Sequence, residues 1–165
     1  MSNLYYTSNK MAADLIALLN LDPGAKVLDA GSGDKVWFDN LPLGCQRFEC
    51  ELERGGDFFE WTDPVDWVVG NPPFRDGPDG KNLFPAWLEQ CAKISQKGFA
   101  LLINDKCFSA ITPLRLDKLV KAGFSLAHMR VVSDHRWRGR YFFLVWLKAP
   151  FHPTFPFVSY EVKSY

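Results

Sequence analysis

The sequence predicts an α/β fold: a mostly parallel sheet with helices on both faces and a C-terminal antiparallel hairpin. Three observations carry this. Short apolar runs alternate with segments whose apolar residues recur every three or four positions, and a glycine turn breaks directly out of the first run. The last two runs are separated by too few residues for a helical crossover, so that pair must be antiparallel. Sheets of this kind bind ligands at the carboxyl ends of their strands.

Each element follows from its residues. Residues 9–20 space Met11, Leu15, Ile16, Leu18 and Leu19 for an amphipathic helix, which the turn sequence Leu21-Asp22-Pro23-Gly24 ends. A strand over 26–30 ends at Asp29-Ala30 and breaks into Gly31-Ser32-Gly33-Asp34. Further strands are predicted over 46–50, 66–70, 98–104, 127–133 and 140–147, with helices over 82–95, containing Leu83, Trp87, Leu88 and Cys91, and 112–122, containing Leu114, Leu116 and Leu119. The short connection around Arg136-Trp137-Arg138-Gly139 joins the final pair. Residues 149–165, with Pro150, Pro153 and Pro156, read as an irregular surface tail.

Composition narrows the function classes. A chain of 165 residues, 47% hydrophobic and 15% aromatic, reads as one packed domain over 1–165 and excludes intrinsic disorder. Its 19 Lys+Arg balance 19 Asp+Glu, which argues against a basic, tail-driven polyanion binder. The balance is a cancellation, because residues 1–75 hold 6 basic and 12 acidic side chains and residues 76–165 hold 13 and 7. Cys45, Cys50, Cys91 and Cys107 lack metal-ligand spacing, so no metal site is predicted and reduced thiols fit best. The first residues lack an apolar signal core and no stretch of about 18 apolar residues offers a membrane span. The expectation is a soluble, cytoplasmic protein.

The glycine turn and the acids after it suggest a nucleotide-type ligand. Gly31 and Gly33 permit close backbone approach, and Asp29 stands at the strand end. Glu49, Glu51 and Glu53 follow near the end of the next strand, where a carboxylate suits the two hydroxyls of a ribose. In Gly56-Asp57-Phe58, Asp57 offers an acceptor for an adenine amine and Phe58 a face for its ring. The alternative for each acid is an ordinary surface carboxylate. Position 36 is Val where a dinucleotide fingerprint has a third glycine, and an acidic pocket disfavours phosphate. It favours the sulfonium and ammonium groups of S-adenosylmethionine.

Asn71-Pro72-Pro73-Phe74 closes the run Asp66-Trp67-Val68-Val69-Gly70. An exocyclic adenine amine is a poor nucleophile, because its lone pair is delocalised into the ring. Two acceptors aimed at its hydrogens favour a pyramidal nitrogen, and the Asn71 side-chain oxygen and the Pro72 carbonyl can be those acceptors. Consecutive prolines fix φ and remove competing N–H donors. Phe74 supplies a stacking ring, at roughly 1–3 kcal/mol per base. The alternative is a rigid strand-ending turn with a core Phe.

Together, Val27-Leu28-Asp29-Ala30-Gly31-Ser32-Gly33-Asp34, Gly56-Asp57-Phe58 and Asp66 to Phe74 resemble the class I S-adenosylmethionine-dependent methyltransferases, and among them the adenine-N6 type. The likeness runs from about residue 5 to residue 148 and implies a Rossmann-like sheet. It implies that Tyr6 and Thr7, in the segment leading into the first helix, border the methionine part of the cofactor, so that residues 1–24 flank its site. Asp29, Gly31, Gly33, Glu51, Asp57, Phe58 and Asn71 complete the implied cofactor set; Asn71, Pro72 and Phe74 carry the reaction. Glu49 is the alternative ribose ligand. Asp29 and Asn71 are only 42 positions apart, so one or both intervening helices must shrink to turns.

The basic half points to the substrate. Arg130, His135, Arg136, Arg138 and Arg140 surround the predicted hairpin with Trp137 and Tyr141 among them, suited to phosphates and a displaced base. The alternative is a solvated tip whose arginines pair with local acids such as Asp134. Pro73 and Arg75 are expected to border the target base, and the loop from Asp76 to Gly80 could close over it; the alternative, favoured by the sequence, is a plain surface loop. His128 and His152 read as packed or surface residues, and Trp37, Trp61, Trp67, Trp87 and Trp146 as core. The expected activity is methylation of adenine N6 in DNA; the alternative is adenine N6 in RNA. Glutamine side-chain methylation and a non-catalytic cofactor-binding domain with a protein partner or a second copy are further alternatives.

Overall fold

The computed structural model describes residues 7–73, 80, 82–134, 136, 137 and 139–148. Helix α1 (Asn9–Ile16) starts at Ser8, whose Oγ accepts from the Met11 amide, and buries Ala12, Leu15 and Ile16. It tightens into one 3-10 turn (Ala17–Leu19), and Asn20 in the left-handed region ends it. There follow β1 (Lys26–Ala30), α2 (Val36–Asn40), β2 (Gln46–Cys50), β3 (Val65–Gly70), α3 (Phe84–Ile94) and β4 (Ser95–Asn104). The chain ends its described course with α4 (Asp105–Ser109), α5 (Pro113–Lys121), β5 (Phe124–Val132) and β6 (Tyr141–Lys148).

The six strands form one sheet in the order β2-β1-β3-β4-β6-β5. The first four are parallel, and β6 runs antiparallel to both β4 and β5. This is the predicted architecture, hairpin included. Two apolar clusters account for it, one on each face. In β4, Phe99, Leu101 and Ile103 enter the cluster shared with α3 and α5, whereas Ala100 and Leu102 enter the one shared with α1 and α2. Alternation by one residue therefore serves two cores. Trp146 of β6 is fully buried and stacks on Phe99 at 4.8 Å.

The expected shortening is also present. The connection from β1 to β2 holds only the five-residue α2, and that from β2 to β3 holds two 3-10 turns, Leu52–Arg54 and Phe58–Glu60. Over β2 an edge-on ring pair, Phe48 with Trp61 at 6.2 Å, packs against the core. Helix α4, whose Asn104 cap accepts from Cys107 N–H, falls where no element was expected. Strands β4 and β5 each begin three residues earlier than predicted, because Ser95 pairs with Val65 and Phe124 to Leu126 pair with Lys148 to Trp146 at the far end of the sheet.

Candidate active site

Parallel register sets Asp29 of β1 level with Glu49 of β2 and Val69 of β3. The three chains that leave these strands therefore emerge side by side: the glycine turn, the acidic segment from Glu51, and Asn71-Pro72-Pro73. One residue adjusts the fit. A Cβ on Gly70 would stand 2.5 Å from the Ala30 carbonyl oxygen, so only glycine lets the end of β3 close onto the end of β1.

In the glycine turn, Gly31 and Gly33 have φ of +64° and +48°. The turn is held from both sides. Ser32 N–H donates to Cys50 O at 3.0 Å, and Gly33 N–H donates to Glu51 Oε2 at 2.6 Å. Behind it stands Trp87 of α3, whose Cη2 lies 3.0 Å from where a Gly31 Cβ would be.

The acids separate into different roles. Asp29 is fully buried; its Oδ2 accepts from Phe38 N–H at 2.9 Å, and its Oδ1 has no hydrogen-bond partner among the described residues. Burial, reinforced by the charges of Glu49 and Glu51 against the Phe38 bond, pushes its carboxyl up to about 7. Glu49 is engaged by Arg54 Nη2 at 2.6 Å, Ser32 Oγ at 2.5 Å and Lys35 Nζ at 2.9 Å. The Arg54 bond foremost, then those from Ser32 and Lys35, hold it down at about 2 despite some burial. Among the described residues, Glu51 keeps only the Gly33 bond and a long one from Glu53 N–H at 3.4 Å. Of the two candidates for a ribose, Glu51 has acceptor capacity to offer.

Asp57 caps the turn it starts, accepting from Phe59 N–H at 2.8 Å. Phe58 departs from expectation. Its ring is buried against Trp87 at 4.4 Å and its carbonyl accepts from Gln90 Nε2, so it presents no face to a ligand. The neighbouring Phe59, 39% exposed, is the ring that solvent reaches. Pro72 is buried and Pro73 half-buried, and the Asn71 amide nitrogen points to Thr7 Oγ1 at 3.5 Å, which joins the chain before α1 to the segment after β3. Tyr6, Phe74, Arg75 and Arg138, together with the 76–79 stretch and the tail, lie outside the described residues.

The hairpin differs from expectation in two ways. Trp137, expected to meet a base, is buried against Tyr141 at 4.5 Å and belongs to the α1/α2-side core. Arg136 forks onto Asp134, with Nε and Nη2 at 2.8 and 2.6 Å, and Arg140 lies 3.4 Å from Asp105. Local ion pairing, the alternative reading, describes these two arginines.

Sequence reasoning missed Arg54, Trp87 and Gln90. The signal for Arg54 was a single cation within the acidic run Glu49 to Asp57. For Gln90 it was a polar residue on the helix face of Trp87 and Ile94, where its amide holds the Phe58 and Trp61 carbonyls.

The donor set fits S-adenosylmethionine. Buried Asp29 has an acceptor without a donor, Glu51 is aimed by a backbone amide, and the turn is glycine-lined against a flat indole.

A scan against protein-family models gives no match, and neither does a search of curated proteins. Solved structures do match. A proposed RNA methyltransferase from Pyrococcus horikoshii is 20% identical, with a TM-score of 0.65 over 88% of this chain and 87% of its own. Magnesium protoporphyrin IX methyltransferase from Synechocystis, with S-adenosylhomocysteine bound, is 16% identical, with a TM-score of 0.63 over 86% and 83%. In the E. cuniculi Mtq2–Trm112 complex, responsible for methylating the termination factor eRF1, the matching chain is 18% identical, with a TM-score of 0.59 over 87% and 97%. Three substrate classes sit on one scaffold, so the likeness speaks for the scaffold. This chain has the Rossmann-like fold of the class I S-adenosylmethionine-dependent methyltransferases.

Proposed function

We propose that this chain is an S-adenosylmethionine-dependent methyltransferase acting on the N6 amine of adenine in DNA, in single strands or on a base turned out of a duplex. The observation that carries the reading is Asn71-Pro72-Pro73 leaving β3 beside the glycine turn that leaves β1. When bound, the cofactor supplies a methyl group on a positively charged sulfur. Glu51 accepts from the ribose hydroxyls, Asp57 from the adenine amine of the cofactor, and Asp29 anchors the cationic side of the pocket. Asn71 Oδ1 and the Pro72 carbonyl accept from the two hydrogens of the target amine, which turns its lone pair out of conjugation. Pro72 and Pro73 bring no N–H to compete, and Phe74 stacks on the base. Positioning and the two acceptors carry the rate, with no general base called for at the target amine.

The test is transfer of label from S-adenosylmethionine to single-stranded DNA, duplex DNA, structured RNA and protein extract, with Asn71→Ala as control. Label in DNA N6-methyladenine that disappears in the variant is expected. Label confined to RNA adenine or to glutamine moves the assignment to that substrate. Tight cofactor binding without transfer to any polymer overturns the enzyme reading.

A further inference from the structure

Arg54 makes two bonds to the turn that the cofactor would rest on and a third to Glu49 of β2. Its Nη1 donates to Gly33 O at 2.8 Å and its Nη2 to Ser32 Oγ at 2.6 Å, while Nη2 also meets Glu49 Oε2 at 2.6 Å. Gly33 is therefore gripped at both ends of one residue, its N–H by Glu51 and its carbonyl by Arg54. Such a turn needs outside ties. Gly31, Gly33 and Lys35 all occupy the left-handed region, Lys35 at φ +62°, and two glycines leave the unbound turn many alternatives. A guanidinium can span two acceptors in a fixed fork where an ammonium cannot.

The charge arrangement makes sense of a cation in a pocket for a cation. Glu49 offsets the charge of Arg54 within their ion pair, so the clamp itself is neutralised and the Glu51 carboxylate is left for a ligand. We infer that Arg54 is a positioning residue, a neutralised clamp that presets the glycine turn and with it the aim of Glu51. This rests on the cofactor reading above.

The experiment uses the full chain as wild type, Arg54→Ala and Arg54→Lys. It measures calorimetric affinities for S-adenosylmethionine and for S-adenosylhomocysteine, which lacks the sulfonium charge, and amide hydrogen exchange over residues 31–35 without ligand. Arg54→Ala is expected to speed exchange in the turn and to weaken both ligands by about five- to ten-fold, in equal proportion. Arg54→Lys, with the charge but not the fork, is expected to fall between. Unchanged exchange with affinities within about two-fold of wild type overturns the proposal. So does a variant that binds S-adenosylmethionine more tightly relative to S-adenosylhomocysteine, because Arg54 would then act only as a charge. Should Arg54→Ala fail to fold, Arg54→Lys carries the same comparison. Wild-type protein that binds neither ligand overturns the cofactor reading and, with it, the positioning role, while faster exchange in Arg54→Ala would still identify the clamp.

Discussion

Gly70 and Ala30 meet backbone to backbone: the hydrogen on the Gly70 α-carbon occupies the space from which a methyl would press to 2.5 Å on the Ala30 carbonyl oxygen. Because Asn71 follows at once, this contact sets how near the Asn-Pro-Pro segment comes to the glycine turn. Gly70→Ala is expected to destabilise the fold by about 1–3 kcal/mol and to abolish cofactor binding in the protein that remains folded. Thermal unfolding alongside ligand titration checks both parts, and a variant with native affinity would dissociate the contact from the site.

Asp29 gives a pH dependence with a defined sign. Its carboxyl stands at about 7 in the folded chain, against about 4 when unfolded. Below pH 4 both states hold the proton; between 4 and 7 the unfolded chain releases it and the folded chain keeps it. Stability from this group therefore falls as pH rises from about 4 to 7 and is flat above. Asp29→Asn keeps an acceptor for Phe38 N–H and removes the penalty. It should raise the melting temperature at pH 8, with a difference that shrinks toward pH 4, while weakening cofactor binding. A difference in melting temperature independent of pH contradicts the assignment.

Trp87 and Trp146 are both buried tryptophans of the same core cluster, but only Trp87 backs the glycine turn. Trp87→Ala and Trp146→Ala should each cost about 3–5 kcal/mol in denaturant unfolding. Under conditions where both variants are folded, ligand affinity should drop for Trp87→Ala and hold for Trp146→Ala. Equal loss in the two would show that general destabilisation, not support of the turn, is being measured.

Among the described hairpin arginines, Arg136 and Arg140 are already engaged by acids. Since Asp134 holds the Arg136 fork, Arg136→Ala is expected to change DNA or RNA affinity by less than about two-fold, and Asp134→Asn to strengthen it. Filter binding at two salt concentrations reads this, and a large loss in Arg136→Ala would return the hairpin to the substrate surface.

Much of the architecture was legible because strand alternation and glycine turns are local signals. The runs KVLDA and DWVVG read as strands from their residues alone, and the short connection after Val132 dictated the antiparallel end. What a one-dimensional reading missed depends on which way a side chain turns. Phe58 and Phe59 are identical letters, and only the 3-10 turn decides that Phe58 meets Trp87 while Phe59 reaches solvent. Glu49 and Glu51 are likewise two apart in sequence. Strand periodicity sends them to one side, but the arrival of Arg54 from the following turn consumes Glu49 and leaves Glu51 available. Trp137 looked like a solvent-exposed indole because arginines surround it; its burial on Tyr141 is a tertiary fact that charge patterning does not encode.

The abbreviated crossings also change what shields the sheet. Halving a loop alters closure entropy by only about 0.6 kcal/mol, so the missing helix between β2 and β3 matters little through chain entropy. It matters as lost roofing. Phe48 and Trp61, set edge to face at β2, act as shingles over the core beside a connection that holds only two 3-10 turns, so side chains there do part of the shielding that a helix gives elsewhere.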